Sequence, residues 1–200
     1  MVVVVLAGGE GLRMGGAKPL RAFGATTLIG HALELARSYG DPIAVAVRDP
    51  AQVAGAGDAP LLIDDPALGG PLAGLASALA FAGRQGAAAV LTLPCDTPRL
   101  PPDLPKRLRA AMTDDVAAAV AASAGRLHPT CALWRSDAAA RLPDYVATGR
   151  SSLIGLAEAC GLARVDWPAG EADPFANANT PEDLQRLQPA LPGADHHLGA

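Results

Sequence analysis

The fold is decided by the start of the chain, Val2-Val3-Val4-Val5-Leu6-Ala7-Gly8-Gly9-Glu10-Gly11-Leu12-Arg13-Met14-Gly15-Gly16-Ala17-Lys18. The leading apolar residues predict a buried strand, and the glycine-dense stretch behind them predicts a tight turn. Glycine lets backbone N–H groups converge on an anion, and Arg13 and Lys18 add positive charge within the same turn. The stretch therefore predicts a strand followed by a phosphate-binding loop.

Beyond this loop, apolar segments of strand length alternate with Ala/Leu-rich segments of helical period. That alternation is typical of an α/β protein whose sheet is mainly parallel. A return strand entered through Gly125 makes part of the sheet antiparallel. Strands are predicted at 2–6, 43–47, 61–63, 88–93, 116–122, 126–134 and 163–167, and helices at 70–84, 102–111, 136–146 and 151–159, with two more that begin at Thr26 or Thr27 and at Thr180.

Length and composition limit the classes of protein to which the chain can belong. Its 200 residues, 50% of them hydrophobic, predict one domain over 1–188 and a flexible tail over 189–200. The net charge of −4 and the lack of a basic run argue against a nucleic-acid partner. The first apolar run is too short for a signal peptide or a membrane span. Scattered cysteines without metal-ligand spacing are typical of the reducing cytoplasm, which is the predicted compartment.

Two common glycine motifs do not match this loop. A P-loop requires Ser or Thr directly after its lysine, but Pro19 follows Lys18. A dinucleotide-binding fingerprint that starts at Gly9 finds Met14 at the position of its third glycine, and Gly15 comes one residue late. The loop therefore belongs to neither of these two phosphate-binding motifs.

A third pattern matches the whole chain. The blocks Leu6-Ala7-Gly8-Gly9, Arg13-Met14-Gly15 and Lys18 resemble the signature of nucleotidyltransferases that activate sugars and pterins. Further blocks follow in order, namely Gly70-Pro71-Leu72-Ala73-Gly74, Pro94-Cys95-Asp96-Thr97-Pro98, His128-Pro129-Thr130 with Ala132-Leu133-Trp134, and Asp173-Pro174-Phe175-Ala176-Asn177-Ala178-Asn179-Thr180-Pro181-Glu182-Asp183-Leu184. Together, over residues 1–188, they resemble the molybdenum cofactor guanylyltransferase (MobA) family.

The resemblance implies a Rossmann-like, three-layer α/β/α fold of the nucleotidyltransferase type, with nucleotide on the N-terminal half and pterin on the C-terminal half. It implies transfer of GMP from GTP to the molybdopterin cofactor, with Mg²⁺ as cofactor and release of pyrophosphate. Transient contact with proteins that deliver or accept the cofactor is a further expectation. The expected nucleotide-binding residues are Leu6, Ala7, Gly8, Gly9, Lys18, Asp65, Gly70, Gly74 and Asp96, of which Asp96 also holds the metal ion.

The chemistry of nucleotidyl transfer points to Arg13, Lys18 and Asp96 as the catalytic residues. A phosphate oxygen attacks the α-phosphorus in line while pyrophosphate leaves, so the site must neutralise charge rather than move protons. Asp96 follows a predicted strand, which is where an open α/β sheet binds its ligand, and a carboxylate suits Mg²⁺. The alternative is that Asp96 only caps the turn before Pro98.

Two other predictions in the N-terminal half also have structural alternatives. Asp64 and Asp65 form either a nucleotide contact, which we assign to Asp65, or a solvated turn. Which carboxylate of the pair faces the site depends on strand register. Gly70 and Gly74 either contact the base or let a helix pack closely on the sheet.

In the C-terminal half, four residues are predicted to bind the pterin substrate. Asn177 and Asn179 are the only asparagines, and their spacing by two points both amides the same way in extended backbone. An amide both donates and accepts hydrogen bonds, which suits a pterin or phosphate edge; the alternative is a turn that caps the next helix. His128 and Arg150 are the other two predicted pterin-binding residues. The alternative for His128 is a buried, hydrogen-bonded histidine of the core, and the alternative for Arg150 is an arginine on the surface.

Guanylyl transfer to the molybdopterin cofactor is therefore the leading hypothesis for the function. A CTP-dependent cytidylyl transfer to the same cofactor is the alternative within this chemistry. Two alternatives come from other classes, a cofactor carrier without turnover and an NAD-dependent oxidoreductase.

Overall fold

The computed structural model describes residues 1–9, 17–170 and 172–188. The predicted tail at 189–200 and the predicted catalytic residue Arg13 lie outside these residues. The strands are β1 (Val2–Leu6), β2 (Ala22–Phe23), β3 (Thr26–Thr27), β4 (Ile43–Val47), β5 (Leu61–Ile63), β6 (Ala89–Pro94), β7 (Ala118–Ser123), β8 (Arg126–Arg135) and β9 (Leu162–Trp167). The helices are α1 (Leu28–Tyr39), α2 (Gly70–Arg84), α3 (Leu104–Ala110), α4 (Leu142–Ala147), α5 (Leu153–Ala159) and α6 (Pro181–Leu187).

Seven of the strands form one sheet in the order β5-β4-β1-β6-β8-β7-β9. β8 runs antiparallel to both of its neighbours, and the other adjacent strands are parallel. The return strand follows a tight turn in which Ala124 and Gly125 both have positive φ, at 46° and 78°. The prediction of a mostly parallel sheet with an antiparallel strand is confirmed.

Helices cover both faces of this sheet, which explains the unbroken run of valines in β1. Val3 and Val5 pack in a core cluster with side chains of α1 and α3. Val2 and Val4 point to the opposite face and pack with side chains of α2 and α5. Because successive side chains of a strand alternate between faces, a strand buried on both sides is apolar at every position. The three-layer α/β/α architecture is therefore confirmed.

Local structure differs from the prediction in two places. The residues before α1 form a small hairpin, β2 with β3, and Thr27 also caps α1 by accepting a hydrogen bond from Gly30 N at 3.1 Å. The helix predicted over 136–146 is divided into a 3₁₀ segment, Ser136–Arg141, and α4. Pro143 lies in the first turn of α4, where proline favours the start of a helix over its continuation.

The parallel strands β1, β4, β5 and β6 all end at one edge of the sheet, because parallel strands share a direction. The backbone continues the ladder just past these ends: Ala7 N donates to Ala46 O at 2.8 Å, and Cys95 N donates to Leu6 O at 3.2 Å. The residues that follow each strand are therefore held in fixed positions along this edge. Among the described residues, no helix has the length and apolar character needed to span a membrane.

We expect Gly161→Ala to lower the free energy of unfolding by about 3 kcal/mol. Gly161 precedes β9 with φ at +81°, and a Cβ there would collide with the backbone carbonyl of Asp115. Gly86→Ala is the matched control, because Gly86 has φ at +61° but open space around its Cβ position, so only backbone strain of about 1 kcal/mol applies. Urea unfolding measures both values, and equal losses in the two variants would contradict the packing described at Gly161.

Candidate functional site

A cleft of about 700 Å³ lies at the edge where the parallel strands end. Open α/β sheets bind their ligands at this edge. Most of the residues predicted for the site line the cleft: Leu6, Ala7, Gly8, Gly9, Lys18, Gly70, Gly74, Asp96, Asn177 and Asn179. The structure thus brings together residues that lie as much as 173 positions apart in the chain, as between Leu6 and Asn179.

The centre of the cleft holds a charge pair between Lys18 and Asp96. Lys18 Nζ lies 2.6 Å from Asp96 Oδ2, and the two side chains are only 12% and 18% exposed. The same ammonium donates to Asn179 Oδ1 at 2.7 Å. One cation, one carboxylate and one amide therefore meet at a single point, although the sequence predicts the first two at the nucleotide and the third at the pterin.

The segment that carries both asparagines is fastened to the end of β6. Ala178 N donates to the backbone oxygen of Asp96 at 2.8 Å, and the Thr97 hydroxyl donates to Asn177 Oδ1 at 2.8 Å. Further along, Thr180 caps α6 by accepting a hydrogen bond from Asp183 N. The cap of α6 is thus formed by Thr180, so the capping alternative does not account for the Asn177 and Asn179 side chains.

The carboxylate that faces the cleft after β5 belongs to Asp64, and Asp65 lies outside the lining. Leu62 is buried against α2, whereas Ile63 is exposed. Because side chains alternate in extended backbone, Asp64 lies on the side of Leu62 and Asp65 on the side of Ile63. Asp65 instead accepts a hydrogen bond from Ala67 N at 2.8 Å in a turn. This corrects the predicted placement of Asp65, and strand register is the physical reason.

Asp64 is unusual because a carboxylate is held at only 8% exposure beside a cleft. Its Oδ2 lies so close to Gly8 that a Cβ there would come within 2.5 Å of it. Burial raises the pKa of Asp64 above its ordinary value of 3.8, and the Ser77 hydroxyl and the Arg48 charge act in the opposite direction with smaller effect. Arg48 also lines the cleft, where its Nε donates to the carbonyl of Gly8 at 2.6 Å.

His128 is placed in a partly buried network and does not line the cleft. Its ring stacks on Phe175 at 4.7 Å between centroids, and its Nε2 lies 2.7 Å from the hydroxyl of Ser123. That hydroxyl donates its hydrogen to Asp173 at 2.7 Å, so His128 Nε2 must be the donor to Ser123. Burial lowers the pKa of His128. The predicted placement of His128 at the pterin is therefore corrected to one that supports the segment before Asn177.

Arg150 likewise does not line the cleft. Its guanidinium lies over the ring of Tyr145 at 5.1 Å and 4.0 Å from Glu158, with 56% of its side chain exposed. The cap of α5 is Ser152, whose hydroxyl accepts a hydrogen bond from Gly155 N at 3.0 Å. The alternative of a surface arginine describes this residue, and the predicted placement of Arg150 at the pterin phosphate is corrected.

The N-terminus of α2 forms one wall of the cleft through Gly70, Pro71 and Gly74. A helix of this length presents unpaired N–H groups and the positive end of its dipole at its start, which favours negative or hydrogen-bond-accepting groups of a ligand. Gly74 also packs closely on β1, since a Cβ there would lie 3.1 Å from Leu6 Cδ2. Close packing on the sheet therefore describes Gly74, whereas among the described residues no packing partner lies within 4 Å of the Cβ position of Gly70.

Besides Pro19, Ala46, Pro71, Pro94 and Cys95, the lining includes three residues with charged or hydroxyl side chains that were not predicted for the site from the sequence: Arg48, Asp64 and Thr130. Arg48 and Asp64 each come directly after a parallel strand, β4 and β5, so position relative to a strand end is the signal that identifies them. Thr130 lies within β8, two residues after His128. It belongs to the block His128-Pro129-Thr130, from which the sequence predicts only His128 at the site.

A metal ion at this site would depend on one protein carboxylate. Among the described residues, no group of three or more His, Cys, Asp or Glu side chains is arranged to hold a metal. Mg²⁺ does not require such a group, because it retains waters and commonly binds through one or two carboxylates together with substrate phosphates. Asp96 fits this requirement, with a carboxylate at the strand end and in the lining of the cleft.

The strand order, the edge cleft and the charge pair within it place the chain in the class of nucleotidyltransferase-like α/β proteins. Residues 3–160 match the MobA-like NTP transferase domain, and the chain belongs to that family. The resemblance drawn from the sequence blocks is thereby confirmed.

Similar proteins cover nearly the whole chain. A molybdenum cofactor guanylyltransferase of Cereibacter sphaeroides is 39% identical over 190 residues, which cover 94% of this chain and 95% of that protein. One from Rhodopseudomonas palustris is 42% identical over 193 residues, covering 92% and 91%. Among solved structures, molybdopterin-guanine dinucleotide biosynthesis protein A of Archaeoglobus fulgidus superimposes with a TM-score of 0.73 at 24% identity, covering 93% of this chain and 96% of that one. This last likeness supports the fold.

We expect Asp64→Asn to stabilise the protein at neutral pH. Folding raises the pKa of Asp64 above its ordinary value of 3.8, so the folded protein favours the protonated carboxyl. The free energy of unfolding that this protonation contributes is fully present below pH 3.8 and is lost as the pH rises through the pKa of the folded state. Asparagine carries no charge, so its advantage over the wild type grows from pH 4 to pH 7. Urea unfolding at a series of pH values measures this difference.

Asp65→Asn is the matched control, because it makes the same chemical change at an exposed position and keeps an oxygen to accept from Ala67 N. We expect only a small effect from it on the free energy of unfolding. An Asp64→Asn variant whose advantage does not change with pH would contradict the described burial of this carboxylate.

Proposed function

We propose that this protein transfers GMP from GTP to the molybdopterin cofactor and releases pyrophosphate. The relatives of similar length carry the name molybdenum cofactor guanylyltransferase, which supports this reaction. The observation that carries the proposal is the meeting of Lys18, Asp96 and Asn179 in one cleft at the ends of the parallel strands. In this cluster the ammonium can bind phosphate oxygens, and the carboxylate can hold a metal ion that neutralises further phosphate charge.

The reaction needs alignment and charge neutralisation more than proton transfer. An oxygen of the cofactor's phosphate forms a bond to the α-phosphorus of GTP, and the bond from that phosphorus to the bridging oxygen of pyrophosphate breaks. The negative charge that develops on the leaving pyrophosphate must be stabilised in a partly dry site. In this proposal the Lys18 ammonium binds the phosphates, and Arg13 of the glycine loop assists it.

Magnesium is the metal ion that we propose for this site, with Asp96 as its protein ligand. Bound there with the phosphates, it would supply positive charge to the phosphate oxygens. The oxygen of Asn179 near the same point gives the site a second hard donor, although in the present structure that oxygen accepts from Lys18. The hard oxygen groups of this cluster are the kind that Mg²⁺ prefers.

We propose that Asp64 selects guanine over cytosine. Guanine presents two neighbouring donors, N1–H and the 2-amino group, and an ionised carboxylate accepts two hydrogen bonds side by side. Cytosine presents one donor beside two acceptors, so a carboxylate would face at least one of its lone pairs. β5 and β6 are three strand spacings apart in the sheet, about 14 Å, which leaves room for a nucleoside between Asp64 and Asp96.

The two substrates then occupy neighbouring parts of one cleft, within a single domain over 1–188. The nucleotide lies along the turn after β1, the strand ends and the start of α2, and the pterin lies toward the 177–179 segment and Thr130. Both sets of residues line the same cleft, which supports direct transfer between the two substrates. The unpaired cysteines are compatible with a reducing cytoplasm as compartment, and the product would pass from there to the proteins that use it.

We expect pyrophosphate release in the presence of Mg²⁺, the cofactor and GTP, and little release with CTP. Lys18→Ala and Asp96→Asn should each lower kcat/KM by at least about 10²-fold, because the first removes the cation proposed to bind the phosphates and the second removes the proposed ligand of the metal ion. Lys106→Ala, which removes the chain's other lysine from the exposed face of α3, is the matched control and should retain activity. Circular dichroism verifies that each variant is folded.

ITP, which lacks the 2-amino group of guanine, separates the role of Asp64 from that of the phosphate cluster. The wild type should use ITP with a higher KM than GTP, and Asp64→Asn should reduce this difference. Turnover with CTP in place of GTP would overturn the proposed function, and full activity of Asp96→Asn would overturn the metal assignment.

A further inference from the structure

The ammonium of Lys18 occupies the place beside Asp96 where a metal ion would bind. Lys18 Nζ lies 2.6 Å from Asp96 Oδ2 and 2.7 Å from Asn179 Oδ1, so two oxygens from distant parts of the chain converge on it. Both members of the charge pair are largely removed from water, at 12% and 18% exposure. The two oxygens thus form a cation site, and the Lys18 ammonium occupies it.

This arrangement opposes the binding of a free divalent ion. A metal ion on Asp96 Oδ2 would lie next to the Lys18 ammonium, and like charges repel strongly where water is scarce. The other carboxylate oxygen, Oδ1, faces the Thr97 hydroxyl at 3.4 Å. Lys18 must therefore leave Asp96 before the carboxylate can bind a metal ion with its full affinity.

A polyphosphate provides a reason for the lysine to leave. Its oxygens carry several negative charges and accept hydrogen bonds from an ammonium, which is a compact and movable point charge on a flexible stem. Once Lys18 moves to the phosphates, Asp96 and the phosphate oxygens are both available to one divalent ion. The loss of the charge pair is then offset by two new opposite-charge contacts.

We propose that Lys18 is an internal counterion that keeps free divalent metal ions off Asp96 until a nucleoside triphosphate arrives. Metal and nucleotide consequently bind with positive coupling, and Lys18 carries that coupling by exchanging Asp96 for phosphate. The inference rests on the proposed function in that its polyanion is the nucleotide substrate. It adds an order of events, in which the polyphosphate displaces Lys18 and the metal ion replaces it.

Binding of Mn²⁺, followed by electron paramagnetic resonance without turnover, tests this exchange. In the absence of nucleotide, we expect Lys18→Met to bind Mn²⁺ at least about tenfold more tightly than the wild type, because the competing ammonium is gone. Lys106→Met is the matched control and should behave as the wild type. Asp96→Asn should abolish this site, which identifies it as the carboxylate of Asp96.

A GTP analogue with a non-cleavable bridge between its α- and β-phosphates supplies the second half of the test. We expect it to tighten Mn²⁺ binding to the wild type by at least about tenfold, after subtraction of the signal given by Asp96→Asn with the same analogue. In Lys18→Met this tightening should be much smaller, because metal binding is no longer opposed before the analogue binds.

A thermal melt gives an independent readout. Lys18→Met leaves the Asp96 charge without its partner in a mostly buried position, so its Tm should fall. Added Mn²⁺ should recover part of that loss in Lys18→Met and have little effect on the wild type. Lys18→Met that binds Mn²⁺ no more tightly than the wild type, or a wild type that binds it equally well without nucleotide, would overturn the exchange.

Failure of the proposed function would look different. If the analogue does not bind the wild type, the assignment of GTP as substrate fails, while the metal affinities of Lys18→Met and the wild type without nucleotide still decide the exchange.

Discussion

The charge pair between Lys18 and Asp96 is the interaction on which the site depends. It joins the turn after β1 to the end of the adjacent strand β6, and Asn179 extends the contact to the C-terminal part of the chain. A charge that is mostly removed from water is costly without a partner, so each member of the pair must always face an opposite charge. A ligand that separates them must bring both a polyanion and a cation, which is the composition of a metal-bound nucleoside triphosphate.

The burial of the sheet explains why this chemistry is confined to one edge. Both faces of β1 are covered by helices, so no position along the strand can carry a functional polar side chain. The ends of the parallel strands are where Gly8, Asp64 and Asp96 enter the cleft. The segment before α6 then completes the cleft. Its backbone donates a hydrogen bond to the residues after β6, its Asn177 side chain accepts one from Thr97, and Phe175 packs against His128 and Trp167.

The sequence predicts features that depend on local pattern. Strands such as β1 and β4 are recognisable in the sequence because a strand that is buried on both faces is apolar at every position. The glycine turn and the ordered blocks identify the family, and Asn177 and Asn179, selected for their spacing, both line the cleft. These predictions succeed because each depends on neighbouring residues or on a motif as a whole.

Features that depend on register or distant contacts could not be predicted in this way. Asp64 and Asp65 are chemically identical, and only the alternation set by β5 decides which of them enters the cleft. His128 is engaged by Phe175 and, through Ser123, by Asp173, partners that lie about 45 residues further along the chain. Arginine is an ordinary surface residue, so the residue type does not identify Arg48 as part of the site. Only the pairing of β4 with β1 brings its guanidinium to the carbonyl of Gly8.

The exchange of Lys18 for a metal ion at Asp96 can be observed in a crystal structure with the non-cleavable GTP analogue and Mn²⁺. We expect anomalous scattering from manganese beside Asp96, phosphate oxygens on the same ion, and Lys18 Nζ moved from Asp96 to the phosphates. A nucleotide bound elsewhere, with the Lys18–Asp96 contact still at its present length, would contradict the account.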